Sequence, residues 1–94
     1  MSEAGERIRR RVVVRGDVQG VFFRDSTRSE AARRGVAGWV TNRSDGAVEA
    51  AFEGSAADVE ALVEFMRSGP RQADVRDVET VEEEPEGLDG FSVR

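Results

Sequence analysis

The residues best suited to chemistry lie in the first half of the chain. Residues 14–24 form a glycine-flanked segment that ends at Arg24, in the first turn of a predicted helix. Gly16 and Gly20 allow the backbone to come close to a ligand, and unpaired N–H groups at a helix N-terminus attract anions. The guanidinium of Arg24 can grip two phosphate oxygens at once. These features predict an anion cradle, although the spacing alone favours an ordinary strand-to-helix turn with a surface arginine.

Asn42 is a second candidate, because an amide offers both a donor and an acceptor and can orient a water molecule. It ends a predicted strand just before Asp45-Gly46, so its position alone favours a simple turn asparagine. Asp17 and Asp25 flank the glycine-rich loop, where an acid would repel an anion. We expect Asp25 to complement the positive end of the helix instead.

The composition restricts the chemistry further. The chain contains no cysteine and no histidine, which excludes thiolate nucleophiles, imidazole bases and Cys/His zinc sites. Any catalysis must use carboxylates, arginine, hydroxyls, amides or backbone N–H groups. The acidic run Glu82, Glu83 and Glu84 predicts a solvated loop rather than a metal site.

The charge is unevenly distributed along the 94 residues. Residues 1–43 carry a balance of +5 and residues 44–94 a balance of −10, and all fourteen basic residues are arginine. The positive half can attract an anion, whereas the negative half argues against a general nucleic-acid surface. Arginine without lysine, together with an acid excess, resembles proteins adapted to high salt and is also typical of GC-rich genomes.

The length predicts one domain over residues 1–94, with a flexible N-terminus at residues 1–6. No apolar run approaches the ~20 residues that a membrane-spanning helix needs. The first residues carry acids and no apolar stretch, which is unlike a signal peptide. We therefore expect a cytoplasmic monomer.

The alternation of apolar and polar residues predicts four long strands and a short fifth one. They cover residues 8–15, 36–42, 47–53, 73–82 and 91–93. Helical spacing predicts one helix over residues 23–34 and another that begins at Ser55 and ends at Gly69-Pro70. The order β-α-β-β-α-β plus a terminal strand predicts an α+β fold of the ferredoxin-like type: a split β-α-β with two helices on one face of an antiparallel sheet.

This topology also hosts RNA-binding domains, which need exposed aromatic side chains on the central strands. The predicted open face of the first and third strands carries charged and small residues instead: Arg9, Arg11, Val13, Arg15, Glu49, Ala51 and Glu53. The aromatic residues Trp39, Phe22 and Phe23 are expected to pack in the core rather than to stack on bases. RNA binding is therefore disfavoured.

The two most informative segments resemble the acylphosphatase family. Residues 14–24 match that family's first signature, V-x-G-x-V-Q-G-V-x-F-R, at every fixed position. Residues 38–54 match the second, G-W-V-x-N-x-x-x-G-x-V-x-x-x-x-x-G. The resemblance extends from about Ile8 to the last residue. Thr41 departs from the pattern, because family members usually carry a basic residue there.

The resemblance implies that Arg24 binds phosphate, that Asn42 orients the attacking water and that a loop supplies backbone N–H groups. The implied phosphate-binding loop consists of Asp17, Val18, Gln19, Gly20, Val21, Phe22, Phe23 and Arg24. It further implies a metal-independent hydrolase without a cofactor, acting on small-molecule acyl phosphates and binding inorganic phosphate. The alternative is a non-catalytic anion-binding module of the same fold, as in larger carbamoyl-transferring proteins. No further domain follows in this sequence, so we expect a stand-alone enzyme.

Overall fold

The computed structural model describes residues 6–94, which form seven elements in the predicted order. They are β1 (Ile8–Asp17), α1 (Phe23–Arg34), β2 (Ala37–Asn42), β3 (Val48–Gly54), α2 (Ala56–Ser68), β4 (Asp74–Glu83) and β5 (Phe91–Val93). The predicted bounds differ from these by only one or two residues. Of the segment 1–6, expected to be flexible, all but Glu6 lies outside the described residues.

The five strands form one sheet in the order β4-β1-β3-β2-β5. The four long strands are antiparallel to their neighbours, and the ferredoxin-like fold is confirmed. The short β5 is the exception, because it runs parallel to β2 and pairs Val93 with Val40. This pairing carries the chain towards the end of β2, where Asn42 lies.

The hydrophobic core lies between the two helices and one face of the sheet. Val12 and Val14 of β1 and Phe52 of β3 are fully buried there. The predicted apolar stripe of α2 completes the core with Val59, Leu62, Val63 and Met66. Phe23, the first residue of α1, packs edge-on against Phe65 with ring centroids 6.4 Å apart. The start of α1 is thereby anchored to the core.

The other face of the sheet is partly covered by the segment that precedes β5. The backbone N–H groups of residues 86–88 donate to the carboxylate of Glu53 at 2.8 to 3.1 Å. Nη1 of Arg9, which is also buried, donates to the same carboxylate at 2.8 Å. Glu53 therefore lies on the predicted face of β3, but it is completely removed from water.

The hydrogen bonds of Glu53 decide its ionisation. Burial by itself would raise the pKa of this carboxyl, but the bonds from the backbone at residues 86–88 and from Arg9 and Arg7 outweigh burial and lower the pKa to about 2. Glu53 is therefore a charged, buried clamp between the sheet and residues 86–88.

Strand register balances the uneven charge of the chain. The arginine-rich β1 lies between β3 and β4, so basic residues face acids on both sides. Nε of Arg9 and Nε of Arg11 both contact the carboxylate of Glu83, at 2.8 and 2.7 Å. The prediction of a solvated loop is wrong for Glu82 and Glu83, because β4 extends alongside β1 as far as these residues and they pair with its arginines.

Candidate active site

Three residues from the end of β1 to the start of α1 have positive φ angles. Gly16, with φ 132°, follows a register shift between β1 and β4, and a Cβ there would lie 2.2 Å from the carbonyl oxygen of Asp74. Gly20 has φ 76°. Phe22, with φ 62°, is the one non-glycine residue in the described range that has a positive φ. The two glycines are positions that a larger residue cannot easily occupy.

The N-terminus of α1 is not capped by a side chain. Its N-cap residue, Phe22, forms no side-chain hydrogen bond. Within residues 6–94, the backbone N–H groups of residues 20–24 have no protein acceptor. These unpaired donors, together with the positive end of the helix dipole, form a ready site for an anion.

One side chain holds this loop against the neighbouring hairpin. Nε2 of Gln19 donates to the carbonyl oxygens of Arg43 and Ala47, at 2.8 and 3.0 Å. Both acceptors belong to the connection between β2 and β3, which begins directly after Asn42. Gln19 thus fixes the anion-binding loop relative to the end of β2.

The guanidinium of Arg24 stands at a cavity of about 300 Å³ in front of this loop. The cavity is lined by Val18, Gly20, Phe22, Phe23, Arg24, Asp25, Asn42 and Val93. Nη1 of Arg24 donates to the main-chain oxygen of Arg94 at 3.3 Å. This bond orients the guanidinium at the cavity.

Most other arginines of the first half are neutralised by acids. Of the ten arginines in residues 1–43, eight form ion pairs. Arg24 and Arg28 are the two without an Asp or Glu partner within residues 6–94, and only Arg24 lines this cavity. A guanidinium that no acidic side chain of these residues engages therefore stands at the end of α1 with the unpaired N–H groups.

Asn42 reaches the same cavity from the last position of β2. Its backbone is held in the ladder opposite Val48. Within the described part of the chain, its side-chain amide has no hydrogen-bond partner. It is therefore a half-buried amide available to a ligand or a water molecule in the cavity.

The structure brings most, but not all, of the predicted loop residues to the cavity. Asp17 is exposed at the end of β1, Gln19 acts as the anchor and Val21 packs against the core. Val93 lines the cavity although no local pattern pointed to it. It arrives there through the parallel pairing of β5 with β2, a contact that only the tertiary structure reveals.

The expectation of core packing is met by one of the three aromatic residues. Phe23 is buried, with 2% of its surface exposed. Trp39 is half-buried outside the core, and the guanidinium of Arg94 stacks over its ring at 4.4 Å from the centroid. The expectation is wrong for Phe22, which is exposed and lies outside the core.

No group of three or more His, Cys, Asp and Glu side chains in residues 6–94 is arranged to hold a metal ion. Neither helix in this range is long and apolar enough to cross a membrane.

Known proteins resemble this chain closely in sequence and in structure. A sequence model of the acylphosphatase family matches residues 10–93. An acylphosphatase from Haloarcula marismortui is 57% identical over 86 residues, which are 92% of this chain and 94% of the relative. The structure of an acylphosphatase from Coxiella burnetii superposes with a TM-score of 0.92 at 38% identity, covering 100% of both chains. The acylphosphatase from Bacillus subtilis gives 0.89 at 39% identity, covering 93% of this chain and 98% of its own.

Proposed function

Because this chain belongs to the acylphosphatase family, we propose that Arg24 and the loop backbone bind the phosphate and that Asn42 orients the attacking water. The protein is an acylphosphatase, a hydrolase that converts an acyl phosphate to a carboxylate and inorganic phosphate. The proposal assigns the residues that perform this reaction.

The observation that carries the proposal is the guanidinium of Arg24, which has no Asp or Glu partner within residues 6–94 and lies beside unpaired N–H groups. The eight paired arginines of residues 1–43 have acidic side-chain partners, whereas Arg24 donates to the main-chain oxygen of Arg94 at 3.3 Å. A cation in the first turn of a helix is unfavourable for the helix itself. A bound phosphate dianion would compensate that cost, accepting hydrogen bonds from the guanidinium and from the N–H groups of residues 20–24.

The role of Asn42 follows from its place at the same cavity. Its amide is held by β2 and is not engaged by other side chains of the described residues. The amide oxygen can accept a hydrogen bond from a water molecule while the amide NH2 donates one to a phosphate oxygen, and so hold the water in line with the scissile bond. We assign it this positioning task rather than phosphate binding.

The chemistry suits these residues. A water oxygen forms a bond to phosphorus while the bond between phosphorus and the bridging oxygen breaks, and that electron pair leaves with the carboxylate. The conjugate acid of this leaving group has a pKa near ~4, so no general acid is needed. The transition state is loose, and a phosphate oxygen of the substrate can accept the water's proton. We therefore propose that the reaction is metal-independent and proceeds by orientation and charge stabilisation.

The decisive experiment measures phosphate release from benzoyl phosphate in the presence of a chelator. Wild type, Arg24→Ala and Asn42→Ala are compared with Arg28→Ala, which removes the other arginine of the first half that has no Asp or Glu partner within residues 6–94. Arg24→Ala should lose about 3 to 4 kcal/mol of transition-state stabilisation, the cost of removing a key oxyanion donor. Asn42→Ala should lower kcat more than it weakens inhibition by phosphate.

The roles of Arg24 and Asn42 and the metal independence would each be contradicted by a different result. An Arg24→Ala variant that keeps wild-type inhibition by phosphate would contradict the phosphate-binding role. Loss of phosphate affinity in Asn42→Ala, with kcat kept, would contradict the water-positioning role. Loss of wild-type activity on chelation would contradict metal independence.

We also propose that the chain is a single-domain, cytoplasmic monomer. The match of the family model over residues 10–93 and the single core shared by both helices and the sheet support one domain. Sedimentation equilibrium of the full chain checks the monomer, and a mass of twice 10.3 kDa would contradict it.

A further inference from the structure

Phe22 is the most exposed large apolar side chain in the described residues. Its exposed fraction is 71%, and the one other such side chain is Val81 of β4, at 43%. Phe22 lines the cavity that holds Arg24 and Asn42, whereas Val81 does not. An exposed aromatic ring beside a binding site is a surface that a ligand can cover.

The backbone of Phe22 is also unfavourable for its residue type. Its angles, φ 62° and ψ 23°, lie in the left-handed region, which glycine and asparagine tolerate better than phenylalanine. The ring neither caps α1 nor contributes to the core. Strained residues of this kind persist mainly at functional sites, and Phe22 lines the cavity.

The other apolar residues of the cavity cannot perform that task equally well. Val18 and Phe23 are 1% and 2% exposed, so a ligand can remove almost no further surface from water there. Val93 is half-buried and smaller. The ring of Phe22 is therefore the main apolar surface that a bound substrate can cover, and hydrophobic stabilisation scales with the area covered.

We propose that Phe22 is the acyl-recognition residue of this enzyme, packing its ring against an apolar, above all aromatic, acyl group. The inference rests on the proposed phosphate site, since Arg24 fixes the phosphate end of the substrate in the same cavity. It names a substrate class: acyl phosphates with aromatic or branched aliphatic acyl groups are preferred over acetyl phosphate. Aromatic groups gain most, because offset or edge-on ring contacts add to the burial of area.

The test compares kcat/KM for benzoyl phosphate and acetyl phosphate in four proteins. Phe22→Asn removes the ring but tolerates the left-handed backbone, and Phe22→Tyr keeps the ring. Val81→Thr reduces the apolar surface of the other exposed residue, as the matched control. The ratio of the two kcat/KM values should fall about tenfold in Phe22→Asn, mainly through KM, and stay near the wild-type ratio in Phe22→Tyr and Val81→Thr. Every protein is tested with the same two substrates, so the difference in intrinsic reactivity between benzoyl phosphate and acetyl phosphate does not affect the comparison of the ratios.

An unchanged ratio in Phe22→Asn overturns the inference. An equal loss for both substrates, accompanied by weaker inhibition by inorganic phosphate, overturns it as well, because Phe22 would then act only on loop conformation. The wild type provides a measurement free of any variant: phenacylphosphonate should inhibit more strongly than acetonylphosphonate, and equal inhibition is contrary to the proposal. Failure of the proposed phosphate site can be distinguished from failure of this inference. If the assignment of Arg24 is wrong, Arg24→Ala keeps wild-type inhibition by phosphate, whatever Phe22→Asn does to the ratio of the two kcat/KM values.

Discussion

At the scale of single residues, Arg24 is distinguished by what it lacks. Arg9 forms ion pairs with three carboxylates and Arg11 with two, whereas Arg24 contacts the main-chain oxygen of Arg94 and lines a cavity. An acidic side chain at this position would compete with a phosphate for the same guanidinium. The absence of an Asp or Glu partner within residues 6–94 therefore supports the proposed role of Arg24 in phosphate binding.

The shape of this cation should matter as much as its charge. Arg24→Lys keeps the positive charge but loses the planar fork that grips two phosphate oxygens. We expect kcat to fall by about 10²-fold, at the lower end of what the loss of an aligned donor costs, and Arg24→Ala to fall further. Steady-state kinetics with benzoyl phosphate measure both, with Arg28→Lys as the matched control. Equal rates for wild type and Arg24→Lys would show that charge alone suffices.

At the scale of elements, the relative position of Arg24 and Asn42 depends on contacts between the β1–α1 loop and the β2–β3 connection. Arg24 follows this loop and Asn42 precedes the connection, and the two segments are not paired as strands. The two hydrogen bonds from Gln19, to Arg43 and Ala47, supply this link. The loop is thereby preorganised before the substrate arrives.

Removing this link should affect stability and binding together. Gln19→Ala removes two hydrogen bonds, although each carbonyl oxygen keeps a backbone donor, and this loss should cost about 1 to 2 kcal/mol of unfolding free energy. The looser loop should also weaken inhibition by phosphate. Urea denaturation and inhibition assays measure the two effects, and Gln72→Ala, at an exposed glutamine before β4, serves as the control. If stability fell while phosphate inhibition stayed at the wild-type level, Gln19 would be a structural residue only.

At the scale of the whole molecule, charges that are separated along the chain are joined in space. The basic strand β1 lies between β3 and β4, and both carry acids opposite its arginines. The buried centre of this network is Glu53, which holds residues 86–88 against the sheet. Since β5 follows this segment and carries Val93, the clamp also supports one wall of the cavity.

The clamp predicts a specific dependence of stability on pH. The pKa of Glu53 is about 2 in the folded protein, against an ordinary value of 4.5. Because the folded value is the lower one, ionised Glu53 stabilises the fold fully above pH 4.5, and this contribution is lost as the pH falls towards 2. The contribution is on the order of 3 kcal/mol.

A non-titrating residue at this position should remove that dependence. We expect Glu53→Gln to be less stable than wild type at pH 7, because Arg9 loses a buried partner charge, and to lose less further stability between pH 5 and 2. Denaturant titrations at several pH values measure this. Glu79→Gln, at an exposed position of β4, should keep the wild-type slope. A Glu53→Gln variant with the wild-type slope would show that other acids control the acid transition.

The sequence by itself determined the fold class, the order of the elements and the two candidate residues. Period-2 and helical spacings are local properties, so they located the strands, both helices and the face on which Val12, Val14 and Phe52 are buried. Two long signatures with fixed spacing pointed to the family, and through it to Arg24 and Asn42. Neither residue stood out by its own pattern, because a turn with a surface arginine or asparagine has the same local appearance.

Only the tertiary structure decided which of these residues have partners. Strand register placed acids beside Arg9 and Arg11, whereas no Asp or Glu side chain of residues 6–94 pairs with Arg24 on α1. Register and the parallel β5 also brought Val93 to the cavity and residues 86–88 over Glu53, in contacts that span tens of residues of sequence. The exposure of Phe22 and its left-handed backbone were likewise visible only in the structure. Sequence periodicity reports which face a side chain takes, but the neighbours on that face are set by packing between distant segments.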